Sequence, residues 1–300
     1  MSGAFQIHPK APAEGRATPR PANDRYAEVV VGGIKTACVS RQQLTDLMVE
    51  DCLAARTSNV APKLVFASNG HAIAMVATDA AFRKNFEAAD LVHADGQPVV
   101  MGAKLMTRTP IPERTATTDF IHDAAKACVE KGLSIFLLGA TEAVNARCAE
   151  ILRAQYPGLK IAGRRHGYFK RDEEAAICGE INASGADVVF VGLSVPFEYE
   201  FCVRNKSLLH AGWLVTCGGC YNFVTGDYKR APQWMQKHSL EWLYRLAREP
   251  KRLFWRYAVT NPVAAFLIFT ESRSINAGVA VAAIESKTEE TPVVYGTRVA

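Results

Sequence analysis

Short apolar segments alternate with amphipathic segments through most of this 300-residue chain. Strands are predicted over residues 64–67, 91–94, 133–138, 159–162, 187–191 and 213–216, and helices over residues 41–56, 79–89, 118–131, 142–155 and 173–184. Strands that alternate with helices of this length are typical of βαβ units, which build a parallel sheet covered by helices. The sequence therefore predicts an α/β core over residues 26–228, with a mainly parallel sheet flanked by helices.

The two ends of the chain differ from this core. Residues 1–25 and 273–300 contain few large apolar residues and are predicted to be disordered tails. Residues 229–272 are predicted to form a basic, aromatic, amphipathic helical appendage, because residues 229–256 carry eight Lys or Arg against two Glu. Such helices suit an anionic membrane surface. The alternative is an ordinary core subdomain with solvated charges, since Trp and Leu at helical spacing often pack inward.

Several classes of protein are disfavoured by what the sequence lacks. No signal-peptide-like apolar segment and no apolar run of about 20 residues is found, so the protein is expected in the cytoplasm, peripheral on the inner face of the cell membrane. Eight cysteines are too few for a disulfide scaffold. Phosphate-loop, G-x-G-x-x-G, G-x-S-x-G and Asp-x-Asp motifs are missing, and no cofactor and no metal ion are expected.

Polar residues that follow predicted strands are the candidate site residues, because Rossmann-like sheets bind ligands beyond the carboxyl ends of their strands. Asp95 and Gly96 follow the strand at 91–94, where a carboxylate could accept a proton from a hydroxyl. The alternative is a simple Asp-Gly turn. Asn69 follows the strand at 64–67 and could hold a polar substrate, or belong to an ordinary loop.

Groups that could bind an anion lie at two further places. Arg114 follows a rigid proline-containing loop and could bind phosphate with two hydrogen bonds, or be solvated. The amides of Gly218 and Gly219 precede a short predicted helix and could cradle an anion. Cys217 and Cys220 flank these glycines, but without a second cysteine pair they are predicted to pack a tight turn.

Together with other motifs in the same order, these positions resemble the WecG/TagA/CpsF glycosyltransferase family over about residues 27–258. The motifs are Asp95-Gly96, Pro112-Glu113-Arg114, Phe136 to Gly139, His166 to Phe169, Gly218-Gly219 and Lys229 to Met235. The sequences of residues 66–69 and 94–98 are similar to those of exopolysaccharide glucosyltransferases of the xanthan type.

The resemblance implies an inverting, metal-independent transferase that moves a sugar from a UDP-sugar to a polyprenyl-diphosphate-linked saccharide in cell-surface or exopolysaccharide biosynthesis. It implies that Asp95 is the general base and that the appendage docks on the membrane and completes the site. Arg245 and Arg252 match arginines of the family, and Arg256 lies one position out of register. The expected partners are the donor, the acceptor and an anionic membrane surface; a homo-oligomer is left open, and no nucleic acid is expected.

Two departures from the family pattern concern the substrate. Glu198 stands where the family has a Gln near the substrate, and Asn222 where many members have Asp. Both are candidate substrate-binding residues, and they leave the donor sugar open. Two other functions also stay open at this point. One is a non-catalytic enhancer subunit of a partner glycosyltransferase, which would not need Asp95. The other is a nucleotide-binding enzyme whose basic helices bind RNA.

Overall fold

The computed structural model describes residues 25–58 and 60–275, and within these residues the strands form two sheets. The strands are β1 (Glu28–Val31), β2 (Ile34–Ala37), β3 (Lys63–Ser68), β4 (Leu91–Ala94), β5 (Ser134–Gly139), β6 (Lys160–Arg165), β7 (Val188–Gly192), β8 (Trp213–Thr216) and β9 (Arg273–Ser274). The larger sheet is parallel throughout, with the order β4-β3-β8-β7-β5-β6. The predicted α/β fold is confirmed.

Helices cover both faces of this sheet. They are α1 (Arg41–Ala55), α2 (Gly70–Thr78), α3 (Ala80–Glu87), α4 (Gln97–Met106), α5 (Thr117–Lys131), α6 (Glu142–Gln155), α7 (Glu174–Ser184), α8 (Phe197–Asn205), α9 (Cys220–Val224), α10 (Gln233–Lys237), α11 (Glu241–Arg248) and α12 (Pro250–Thr270). Successive strand residues enter opposite cores, as the pleat requires: Val188 and Phe190 pack with α1, α5 and α6, whereas Val189 and Val191 pack with α2, α3 and α8.

The smaller sheet joins the two ends of the described chain. Its order is β2-β1-β9, and β9 is antiparallel to β1, with Val29 opposite Ser274 and Val30 opposite Arg273. The prediction that residues 273–300 form a disordered tail is therefore wrong for residues 273 and 274. They pair because α12 brings the chain to the free edge of β1. The rest of both predicted tails, residues 1–24 and 276–300, lies outside the described residues.

The predicted appendage consists of three helices that differ in how they meet the core. Pro250 begins α12, where its missing N–H is not needed by the helix. Ala264 and Ile268, in the second half of α12, are buried in the core that covers one face of the sheet. A Cβ atom on Gly102 of α4 would lie 2.5 Å from Cγ2 of Ile268, so the close approach of the two helices requires glycine there. Part of the predicted appendage thus belongs to the core.

No helix in the described parts of the chain is both long enough and apolar enough to cross a membrane.

Candidate active site

A cavity of about 560 Å³ lies at the carboxyl ends of β3, β4 and β8, where ligands were expected. Its walls come from core elements and from α11 and α12. It brings together most of the predicted site residues: Asn69, Asp95, Arg114, Glu198, Gly218, Gly219, Arg245 and Arg256. Residues of the core and of the C-terminal helices therefore meet at one place.

The Asp95 carboxylate is held from two sides by core elements. Its Oδ1 accepts a hydrogen bond from the amide of Thr117, the first residue of α5, at 3.0 Å. Its Oδ2 accepts one from Nδ2 of Asn69 at 3.2 Å, and Asn69 also caps α2 by accepting from the amide of Ala72. A Cβ atom on Gly96 would lie 3.0 Å from Cα and Cβ of Asn69. The glycine after Asp95 thus lets the two loops approach closely.

The surroundings of Asp95 favour its ionised form. Burial alone would raise its pKa, but the Arg114 guanidinium, the Thr117 amide and the Asn69 side chain together hold the pKa below its usual value. The carboxylate is therefore charged at neutral pH. It faces the cavity in the state in which it can accept a proton, as a general base must.

Arg114 links Asp95 to the C-terminal helices. Its Nε donates to the backbone oxygen of Asp95, and one terminal nitrogen donates to Oε2 of Glu241, both at 2.6 Å. The Arg114 and Glu241 side chains each remain 18% exposed and line the cavity. Glu241 was missed as a site residue. Its position four residues before Arg245, on the same face of α11, was the available signal.

Glu198 is almost completely buried beside the cavity, with 2% of its surface exposed. Burial raises the pKa of its carboxyl group to about 8, although hydrogen bonds from backbone amides, that of Gly218 first, act in the opposite direction. The group is therefore mostly protonated at neutral pH and can donate a hydrogen bond.

The Gly218 amide donates to Oε2 of Glu198 at 2.9 Å. This amide therefore has a partner within the protein, and the cradling of an anion by Gly218 stays a prediction. Gly219 lies on the cavity wall at the start of α9, and its role stays a prediction.

Two arginines of the C-terminal helices line the cavity from the other side. The Arg245 guanidinium lies over the ring of Phe223, 5.6 Å from its centroid. Arg256 donates to the Tyr257 hydroxyl at 3.2 Å. Burial and the charge of Arg256 lower the pKa of the neighbouring His71 to about 4, so this histidine is neutral. The backbone of Arg252 lies in α12, but its side chain is outside the described part of the structure.

Asn222 does not line the cavity, contrary to its prediction as a substrate-binding residue. It lies in α9, and the rotation of this short helix turns the next residue, Phe223, to the cavity wall instead. Cys217 and Cys220 are buried free thiols, and burial raises the pKa of both well above the usual value. Their predicted packing role is confirmed by this burial. Among the described residues, no three His, Cys, Asp or Glu side chains form a group suited to a metal ion.

The fold is that of an α/β protein with a cavity at the carboxyl edge of a parallel sheet. Residues 29–277 match the glycosyl transferase WecG/TagA/CpsF family. The N-acetylglucosaminyldiphosphoundecaprenol N-acetyl-beta-D-mannosaminyltransferase of Bacillus spizizenii is 33% identical over 186 residues, which cover 62% of this chain and 70% of that relative. The chain belongs to the WecG/TagA/CpsF family and is a glycosyltransferase.

Proposed function

We propose that this glycosyltransferase moves a sugar from a UDP-sugar to a hydroxyl of a polyprenyl-diphosphate-linked saccharide, with inversion and without a metal ion. The observation that carries the proposal is the ionised Asp95 carboxylate beside Arg114 in the cavity. The printed name of the Bacillus spizizenii relative describes an acceptor linked to diphosphoundecaprenol, which supports this class of acceptor.

In this reaction Asp95 accepts the proton of the acceptor hydroxyl as its oxygen attacks the anomeric carbon. The bond from that carbon to the UDP oxygen breaks on the opposite face, and its electron pair leaves with UDP, so one displacement inverts the centre. Negative charge then develops on the leaving diphosphate. Arg114 and Arg245 line the same cavity and can stabilise that charge with fixed guanidinium groups.

Glu198 has a different part in this proposal. Its neutral carboxyl lies at the cavity wall. A buried hydrogen-bond donor discriminates strongly between substrates that do and do not offer a hydrogen-bond acceptor to it. We assign it to a hydroxyl of the donor sugar, as a residue that sets specificity. Asp95, which is charged at neutral pH, is better suited than Glu198 to be the base.

Peripheral membrane docking is the second part of the proposal. Trp234, Phe254 and Trp255 are exposed on α10 and on the first half of α12, within the stretch that is rich in Lys and Arg. Basic residues near an anionic surface contribute about 1 kcal/mol each, and aromatic side chains sit at the headgroups. The protein should cosediment with anionic vesicles and be released by salt. Equal binding to neutral vesicles would contradict docking through these charges.

The catalytic proposal is tested by Asp95→Asn, which keeps the shape of the side chain and removes the base. Turnover of a UDP-sugar with a polyprenyl-diphosphate saccharide should fall about 10²–10⁴-fold, with unchanged thermal unfolding. Asp172→Asn, at an exposed position away from the cavity, is the matched control and should keep wild-type turnover. Near wild-type turnover of the Asp95 variant would show that another group removes the proton.

A further inference from the structure

The cavity has two chemically different ends. One end carries the titratable side chains of Asp95, Arg114 and Glu198. The other end lies between α4 and the second half of α12 and is lined mainly by apolar side chains, which we call the α4–α12 slot. Two polar residues line the cavity in the same region: Asn261 of α12, and Ser239, whose Oγ donates to Sδ of Met101 at 3.1 Å. The apolar lining residues of the slot are Met101, Leu105, Met106, Ala265, Ile268 and Phe269.

Helical spacing explains why these side chains face each other. Met101 and Leu105 are four residues apart on α4, and Ala265 and Phe269 are four residues apart on α12, so each pair shares one helix face. Contact between the backbone of α4 at Gly102 and Ile268 brings the two helices together behind the slot. The slot is therefore built by the same packing that anchors α12 to the core.

The slot leaves large apolar surfaces in contact with solvent. Leu105 is 68% exposed and Phe269 is 62% exposed, and Met101 and Met106 are also exposed. Apolar side chains that stay exposed along one continuous cavity are typical of a ligand site. Flexible methionines suit a ligand of irregular shape, since their side chains adapt to what they contact.

We propose that the α4–α12 slot binds the isoprenoid chain of the lipid-linked acceptor, at the part nearest the diphosphate. This inference rests on the proposed function and adds a path for the lipid. The acceptor hydroxyl lies at Asp95, the diphosphate of the acceptor lies at Arg256 and the first isoprene units lie in the slot. Arg256 precedes Phe269 by 13 residues on α12, about 20 Å of helix at 1.5 Å per residue, which leaves room for several units.

The isoprenoid chain fits the slot because the charged and the apolar parts of the cavity are continuous. Arg256 lies on α12 itself, so a ligand held there by its phosphates meets the slot along the same helix. A donor nucleotide has no apolar tail to fill the slot, whereas an isoprenoid chain is apolar over its whole length. The slot lies on the second half of α12 and is separate from the exposed Phe254 and Trp255, which serve the proposed docking on the membrane surface.

The test compares two soluble acceptors that carry the same saccharide diphosphate, one on a farnesyl chain and one on an ethyl group. With the full-length protein and no vesicles present, the KM for the farnesyl acceptor should be at least about tenfold lower, because only this acceptor buries apolar surface in the slot. In Leu105→Asp and in Phe269→Asp the ratio of the two KM values should fall towards one. Thermal unfolding checks that each variant is folded, and Leu105→Ser is a milder second variant.

Phe266→Asp is the matched control. Phe266 lies three residues before Phe269 on α12 and is 66% exposed, but it does not line the cavity. This variant should keep the wild-type ratio of KM values. Equal effects at positions 266 and 269 would show that the farnesyl chain adheres to the helix surface in general, and would overturn the slot.

Two other outcomes are also decisive. Transfer to both acceptors with equal KM values would overturn the slot and leave the proposed function standing. No transfer to either acceptor, across a panel of UDP-sugars, would contradict the proposed function and the slot with it.

Discussion

The base and the cations of the site are held in different ways. Both oxygens of Asp95 accept hydrogen bonds from core elements, from the start of α5 and from Asn69 at the end of β3. Arg245 and Arg256 instead contact aromatic groups, the ring of Phe223 and the side chain of Tyr257, and they come from the C-terminal helices. The geometry of the base is thus fixed by the sheet, whereas the position of the two cations depends on how α11 and α12 are attached.

Helix α12 contains the same contrast within a single element. Both halves expose aromatic side chains, but only the second half, through Ala264 and Ile268, enters the hydrophobic core that covers the sheet. The following β9 pairs with β1, so the end of the helix is fastened to a sheet. We infer that the second half of α12 is an anchor that sets the position of the arginines on the first half and on α11.

Removal of the C-terminal helices should have the largest effect on activity and stability. A chain that ends at Asp227 lacks both appendage arginines of the cavity and leaves the apolar contacts of α2 and α4 with α12 open to water. We expect transferase activity to be lost by more than about 10³-fold. We also expect a melting temperature lower by roughly 5 °C or more, since buried contacts of this kind contribute several kcal/mol.

A chain that ends at Ile275 is the control, because it keeps every described contact of α12 and β9. A chain that ends at Asp227 and melts at the wild-type temperature would show that the core folds independently of the appendage, and would refute the anchor.

The parts of the fold that follow local rules could be predicted from the sequence. Strands β3, β4, β5, β7 and β8 are buried on both faces and form nearly continuous apolar runs, whereas the edge strand β6 is partly exposed. The rule that ligands bind at the carboxyl edge led from these strands to Asn69 and Asp95, whereas Arg114 was predicted from its place after a proline-containing loop. Helix α2 was not predicted, because its segment Gly70–Thr78 is apolar without a polar face and shows no helical period.

Features that depend on distant parts of the chain carried no local signal. Arg114 and Glu241 are separated by 127 residues, and their contact follows only from the packing of α11. The two-residue strand β9 is too short to give a period. Asn222 and Phe223 are neighbours in a five-residue helix, and its rotation, which decides which of them faces the cavity, is set by tertiary packing.

The pH dependence of Glu198 gives the second prediction, of intermediate size. If its protonated carboxyl donates to the donor sugar, wild-type kcat/KM should fall above pH 8 by up to about tenfold per pH unit. Glu198→Gln keeps a hydrogen-bond donor at all pH values, so its kcat/KM should not fall above pH 8. The pH profiles of both proteins check this. The same decline in both would show that Glu198 does not titrate in the reaction.

The same residue predicts a change in stability, with a definite sign. The pKa of Glu198 is about 8 in the folded protein and near 4.5 when unperturbed, so between these pH values the folded state holds a proton that the unfolded state has released. Stability from this group is complete below about pH 4.5 and is lost as the pH rises through 8. Glu198→Gln should therefore gain melting temperature relative to wild type between pH 6 and pH 9.

The smallest expected effect concerns Glu241, which joins α11 to the core through its ion pair with Arg114. Its carboxylate occupies one face of Arg114, the cation that we assign to the donor diphosphate, and competes there with a phosphate group. Glu241→Gln removes the competing charge and keeps the side-chain shape, so the affinity for UDP should rise by about threefold to tenfold, which corresponds to roughly 1 kcal/mol. Calorimetric titration with UDP measures this change.

Glu130→Gln, an exposed position on α5, removes the same charge far from Arg114 and controls for the net charge of the protein. Weaker UDP binding by the Glu241 variant alone would mean that this carboxylate holds Arg114 in its binding position. The contact between the appendage and the core would then favour UDP binding, and the Glu241 carboxylate would not compete with the phosphate.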